Sequence, residues 1–248
     1  LKAEIFTALG RSGAAQSLLR AALEVASSRK DVVARARLHN ALAGNLLAKG
    51  DGRAREHLVL AERGFTTAGQ SRSALQVAVN LAMLDGGRSA LAELLPRARE
   101  ARDPQLEATL LLNLAALGDE DAIDKAGRII DRLQHPDLLW RHRYLAGKQR
   151  LAKDPTDDKA VDLLREAVDE LERRRRSVAQ RNQTSAKAFV TEHDDVYRAL
   201  VDAYTARGED KKAYVWAQRL ADEQGAPDDP QLASLAVRED ELVARLED

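Results

Sequence analysis

The chain contains no cysteine, which excludes disulfides, thiol nucleophiles and thiolate metal sites. Only 4 % of its residues are aromatic, whereas a β-sandwich or barrel calls for more aromatic and β-branched side chains. No apolar run approaches the roughly 18–20 residues that a membrane span needs, so no membrane contact is expected. Charge of one sign is missing too: 39 basic residues face 40 acidic ones, for a net charge of −1. No overall field draws such a chain onto a polyanion or an anionic bilayer. A secretory signal is absent, and the sequence opens on Leu1 instead of methionine. The expectation is therefore a native N-terminus that has been trimmed away, with the cytoplasm as the default location.

What is present is helical. Apolar residues make up 44 % of the 248 and are mostly Leu, Ala and Val. Ala and Leu favour helix, and short side chains let helices approach closely. One phrase returns three times: Asn45-Leu46-Leu47-Ala48 before Gly50-Asp51, Asn80-Leu81-Ala82 before Asp85-Gly86, and Asn113-Leu114-Ala115 before Gly118-Asp119. Small residues follow at Ala54, Ala90 and Ala122. A period of 35 and then 33 residues signals stacked helix pairs, because one pair cannot bury its own apolar stripe. Gln149 fills the asparagine position next, and Ala203 follows after a 54-residue interval, which predicts a pair with helices about ten residues longer each.

Turn signals divide the chain. Ser12-Gly13 opens a helix carrying Leu18, Leu19, Ala22 and Val25, and Asp31 caps the next one as far as Gly50-Asp51. A helix with Leu58 and Ala61 fades near Thr66 to Gly69. Residues 71–84 and 89–101 form another pair, in which Pro96 is expected to kink or split the second helix. Asp103-Pro104 starts a helix with Glu107 placed to support the cap. Asp119 opens the helix of Ile123, Ile129, Ile130 and Leu133, closed by His135-Pro136. Residues 138–152 pair with a longer helix from about 156 towards 181. Gly225 to Pro230 reads as a loop before an amphipathic helix with Leu232, Leu235, Leu242 and Leu246. The expected fold is all-α, an α-solenoid of about 12–13 helices, with an array over 1–224 and a capping or connecting helix over 225–248.

These repeats resemble the tetratricopeptide repeat. Ala43, Gly50-Asp51, Ala54, Leu58 and Ala61 fit one unit; Ala78, Ala90, Leu94 and Ala98 fit another; Ala160, Leu164 and Ala167 fit a third. The resemblance implies a right-handed solenoid of antiparallel pairs whose function is protein–protein contact. A second resemblance covers about 157–222: Ala160-Val161-Asp162-Leu163-Leu164, then Phe189, Asp195-Val196-Tyr197-Arg198-Ala199-Leu200, Gly208, Lys212-Ala213-Tyr214 and Ala217-Gln218-Arg219. It is similar to the last repeats before the caspase-like domain of bacterial CHAT proteins. That implies a sensory or regulatory arm of a larger chain, with the protease-like domain outside this sequence.

The histidines at 39, 57, 135, 142 and 193 form no metal-ligand pattern. Neither a Gly-rich phosphate loop nor a nucleophile elbow occurs. Glu192-His193-Asp194-Asp195 reads as a helix start whose dipole favours carboxylates. The expectation is a non-enzyme without cofactor or metal. Arg173-Arg174-Arg175-Arg176, with Arg181 and Lys187 nearby, is the strongest basic patch. Its alternatives are a grip on phosphate or on an acidic segment, or a solvated helix end balanced by Glu166, Asp169, Glu170 and Glu172.

In a tetratricopeptide stack the first helix of each pair lines a concave groove. Helical spacing would project Arg37 and Asn40, then Arg141, Tyr144 and Lys148, then Asp195, Arg198 and Asp202 into it. Leu75, Val79, Ala108 and Leu112 lie between them, which suits an apolar or mixed peptide ligand. The expected partner is a protein or peptide, or a domain of the same full-length chain. The alternatives are the recognition arm of a signalling ATPase or transcriptional regulator, and nucleic-acid binding through the Arg173 patch.

Overall fold

Helix boundaries follow from how each orphaned helix end finds partners. A computed structural model describes residues 12–179 and 189–224. These residues form eleven helices, besides a short helical segment at 189–192, and no strand. In chain order they are α1 (Ser12–Ser28), α2 (Val32–Leu47), α3 (Ala54–Thr67), α4 (Ser71–Leu84), α5 (Arg88–Glu100), α6 (Pro104–Ala116), α7 (Glu120–Leu133), α8 (Pro136–Lys153), α9 (Asp158–Ala179), α10 (Asp194–Ala206) and α11 (Asp210–Gln224). None is long and apolar enough to cross a membrane. The loop and final helix expected over 225–248 lie outside the described residues, as do Arg181 and Lys187.

Helix starts use short acidic side chains. Asp31 accepts from the backbone N–H of Ala34 at 2.9 Å, Asp103 from Leu106 at 3.1 Å, and Asp119 from Ala122 at 3.2 Å, each satisfying one orphan donor. Glu107 does not complete the expected reciprocal cap. The Asp103 N–H already donates to the Ala98 carbonyl at 3.1 Å, so Glu107 pairs instead with Arg99 at 2.7 Å. The turns within the pairs require a left-handed residue, and Gly50, Gly86 and Gly118 supply it at φ of 65°, 68° and 87°. Pro96 does not split α5, which runs unbroken from Arg88 to Glu100. Pro96 and Ala92, four residues before it, are both exposed, so water can take the carbonyl that proline leaves without a donor.

The chain gathers into two compact units, the first ending at Leu133 and the second beginning at Gln134. In the first, α1 to α7 pack each on its chain neighbours, and α4 also touches α6. The seams are made of small residues and leucine: Ala43, Ala54, Leu58, Ala61, Leu91, Ala98, Ala108 and Ala126 are all nearly inaccessible. Alanine at a crossing lets helix axes approach, and the leucines fill the gaps between them. Gly64 takes this furthest, since a β-carbon there would stand 2.8 Å from that of Ala36. Val25, expected on the buried stripe of α1, is instead 51 % exposed, while Ala15, Leu19 and Ala26 are buried.

An ion-pair ladder runs along the turns of the first unit. Arg55 of α3 reaches Asp85 in the next pair's turn at 3.0 Å, and Arg88 of α5 reaches Asp119 one pair further on at 3.1 Å. Arg72 of α4 pairs with Asp103 at 2.5 Å. These are largely surface contacts, so they set register more than they add stability.

In the second unit α8 packs on α9, α9 on α10 and α10 on α11, and α8 also touches α10. The long helix of the widened repeat is α9, with 22 residues; α10 has 13. Residues 189–192 are helical and turn at His193 into α10. The core of this unit holds Leu164, Ala167, Val168, Leu171, Tyr197, Leu200, Val201 and Ala213. At the tightest crossing, a β-carbon on Gly147 would meet Leu164 Cγ at 2.8 Å and the Ala160 carbonyl oxygen at 3.1 Å.

Candidate functional site

The contact between α8 and α10 joins the first helices of two successive pairs and brings together three of the residues that spacing assigns to a groove. Tyr144 donates its hydroxyl to Asp195 Oδ2 at 2.7 Å. Lys148, one turn further along α8, donates to the Tyr144 hydroxyl oxygen at 3.3 Å, and its ammonium stands 5.2 Å from the ring centre. Burial, followed by the hydrogen bond to Asp195, raises the Tyr144 hydroxyl above the usual tyrosine range, so it stays a neutral donor. The Tyr144 ring is buried, while Lys148 and Asp195 are exposed. A rigid aromatic thus anchors one cation and one anion that remain open to solvent.

Around this trio lie the other expected residues of the second unit. Arg198 is half-buried and pairs with Asp194 at 3.4 Å, and Asp202 is exposed one turn beyond. Arg141 is half-buried on α8, and desolvation pulls its guanidinium below the ordinary arginine range. Arg37 and Asn40 belong to α2 in the first unit, Arg37 exposed and Asn40 half-buried. The apolar positions expected between the stripes are not available to a ligand. Leu75, Val79, Ala108 and Leu112 are buried, because α4 and α6 spend those side chains on packing. The open surface at the α8–α10 contact is polar.

Three of the four arginines in the run are taken up by carboxylates, and Arg176 is exposed at the end of α9. Arg173 pairs with Glu170 at 2.5 Å, Arg174 with Asp137 and Glu170, and Arg175 with Glu172 at 3.1 Å. Glu166, one of the expected balancing carboxylates, pairs instead with Arg143 at 2.9 Å. Sequence reasoning missed the role of Glu172. It is only 4 % exposed, and it accepts from Tyr197 Oη at 2.9 Å, from Arg175 and from Arg219. One buried carboxylate therefore ties α9 to α10 and α11. Local spacing marks only its i,i+3 pair with Arg175, the balancing role expected of it; its cross-helix partners lie 25 and 47 residues away.

The acidic run 192–195 begins α10, with Asp194 and Asp195 in its first turn, where the helix dipole favours them. His193 packs rather than ligates: its ring stacks on Phe189 at 4.4 Å and meets Trp140 edge-on at 5.2 Å, with Nδ1 2.8 Å from the Phe189 carbonyl oxygen. Among the described residues, no group of three or more His, Asp or Glu side chains is arranged to hold a metal ion. A scan against protein-family models finds no match for this chain, and a search of curated proteins finds none either.

Proposed function

We propose that the chain is a protein-binding scaffold of tetratricopeptide-like, right-handed helix pairs, and that it works by contact rather than by catalysis. The observation that carries this reading is the α8–α10 contact. It sets Tyr144, Lys148 and Asp195 together on first helices of successive pairs, the placement through which stacked helix pairs present a recognition face. A buried aromatic with exposed charges of both signs suits an extended peptide that offers backbone amides and at least one charged side chain. The pairing of Arg173, Arg174 and Arg175 with carboxylates weighs for a solvated helix end and against a phosphate-binding stripe.

The test is selection of peptides from a random displayed library on the immobilised chain, followed by chemical-shift mapping. Selected peptides are expected to perturb α8 and α10 around Tyr144 and to lose at least about ten-fold in affinity against Tyr144→Ala. Peptides that map elsewhere, or a selection that enriches nothing, refute the reading. Within it, we place the chain as the sensory or regulatory arm of a larger bacterial protein. A caspase-like His/Cys pair encoded after Asp248 supports that placement, whereas a phosphate-binding loop encoded before Leu1 favours the arm of a signalling ATPase.

A further inference from the structure

The first unit holds a pair of titratable rings that the proposed recognition face leaves unused. His39 projects from α2 and His57 from α3, both half-buried. Their Nδ1 atoms stand 2.9 Å apart, with ring centres 5.2 Å apart and planes tilted by 31°. Two imidazole nitrogens at that distance need one hydrogen between them: one Nδ1–H donates and the other Nδ1 accepts. The arrangement holds when both rings are neutral, and it survives one added proton, because an imidazolium still donates to a neutral partner. With two added protons, both Nδ1 atoms carry hydrogens that point at each other. Relief then requires a ring to swing out of the contact or α2 to part from α3.

The charges facing the pair come from three helices and a turn. Arg20 lies on α1, Arg35 on α2, Arg53 in the turn and Glu56 on α3. The remaining helix packed on α3 is α4; its sole charged side chain, Arg72, is paired with Asp103. Arg20 and Arg35 add to desolvation in resisting a second positive charge, Arg53 is largely balanced by its pair with Asp51, Glu56 works the other way, and a charge on one ring opposes protonation of the other.

We propose that His39 and His57 form a proton-operated latch on the α2–α3 hairpin, closed while at most one ring is charged and forced open when both are. Burial comes first among the causes that hold each ring below the ordinary histidine range. The unfolded or opened chain therefore binds protons more readily than the closed one. The latch's contribution is fully present above the open-state pKa of about 6.5 and is lost as pH falls through the lower folded values. Because Arg37 and Asn40 share α2 with His39, opening the latch also alters how that helix presents them. The proposal is independent of the recognition face on α8 and α10.

The experiment is imidazole NMR titration of the full chain, combined with amide hydrogen exchange corrected for the intrinsic rate, between pH 7.5 and 4.5. Both rings are expected to titrate below about 6.5. Protection of α2 and α3 amides should fall by more than about two-fold over the range, as the open state takes up protons that the closed state resists. His57→Gln and His39→Gln each leave a ring facing a non-titrating amide, and either should hold the acid-induced loss of protection to less than about two-fold. Rings that titrate at or above about 6.5 overturn the latch, as does an acid response unchanged in either variant. The titration is read on the unaltered chain, so a variant that folds poorly does not spare the proposal.

Discussion

Replacing Glu172 with glutamine tests whether the second unit hangs on one buried carboxylate. The substitution preserves shape, and the amide oxygen can still accept from Tyr197. The amide NH2, however, turns two donor hydrogens towards Arg175 and Arg219, where a charged acceptor stood. Breaking a fully buried ion pair from one side costs about 3–5 kcal/mol. Here the arginine side chains keep 18 % and 38 % exposure, so water recovers part of the loss, and about 2–3 kcal/mol is expected. Tyr197 is almost fully buried, so Tyr197→Phe should cost about 1–2 kcal/mol by removing one charge-assisted donor while the arginines remain. In the double variant the costs should fall short of additivity by about 1 kcal/mol, the coupling of the pair. The assay is built into the chain. Its two tryptophans, Trp140 and Trp216, both lie in the second unit, so their fluorescence during urea unfolding reports that unit inside the intact protein. A midpoint lowered by about 1–2 M urea is expected for Glu172→Gln. A loss below about 0.5 kcal/mol, or strict additivity with Tyr197→Phe, refutes the reasoning.

Three further outcomes follow from the same geometry. Gly147→Ala drives a β-carbon against Leu164 Cγ, and Leu164 is fully buried with nowhere to swing. Tryptophan-monitored unfolding should show a loss of about 1–3 kcal/mol, and Leu164→Ala added to it should cost less than it does alone. Tyr144→Phe removes the hydroxyl that joins α8 to α10 but leaves Asp195 hydrated; it should cost about 0.5–1.5 kcal/mol, and equal stability by the same assay would mean the bond is not formed. Asp51 is held down to about 2 by the side-chain and backbone hydrogen bonds from Arg53. Whatever it contributes is complete above the unfolded value of about 3.8 and disappears as pH falls through about 2. Carboxyl NMR should find it among the most acidic aspartates, and a midpoint near 3.8 would exclude these bonds from Arg53.

Repetition made the architecture legible before any coordinates. Ala54, Leu58, Ala61, Leu94 and Ala98 line the seams where the repeat places them, and Asn45 and Asn113 of the recurring phrase are buried as well. Recurrence averages out local noise, which is why these positions read clearly although Asn80 is exposed. What stayed hidden depends on competition or distance. Glu107 was expected to support the cap, but it stands one residue past the reciprocal position and the Asp103 N–H is already committed to Ala98. Pro96 had the signature of a break, but it faces water, where the missing bond costs least. Leu75, Val79, Ala108 and Leu112 share first-helix positions with a recognition face, yet packing between the helices buries them. Tyr144 and Asp195 were both expected in a groove. Their direct bond spans 51 residues, a separation that no local pattern encodes.

The bonding rule at the turns of the first unit has a consequence for how such a chain can change length. Each rung joins an arginine at the start of one second helix to an aspartate in the following hairpin's bend, so what is copied or lost together is one whole rung-to-rung segment. Excising residues 55–87 would bring Arg88 to where Arg55 stood and leave Asp119 waiting for it, with buried alanines again at the seam. Removing a single helix leaves an arginine and an aspartate at opposite ends of the molecule's grammar. Growth and shrinkage by complete hairpins is the change this edge tolerates.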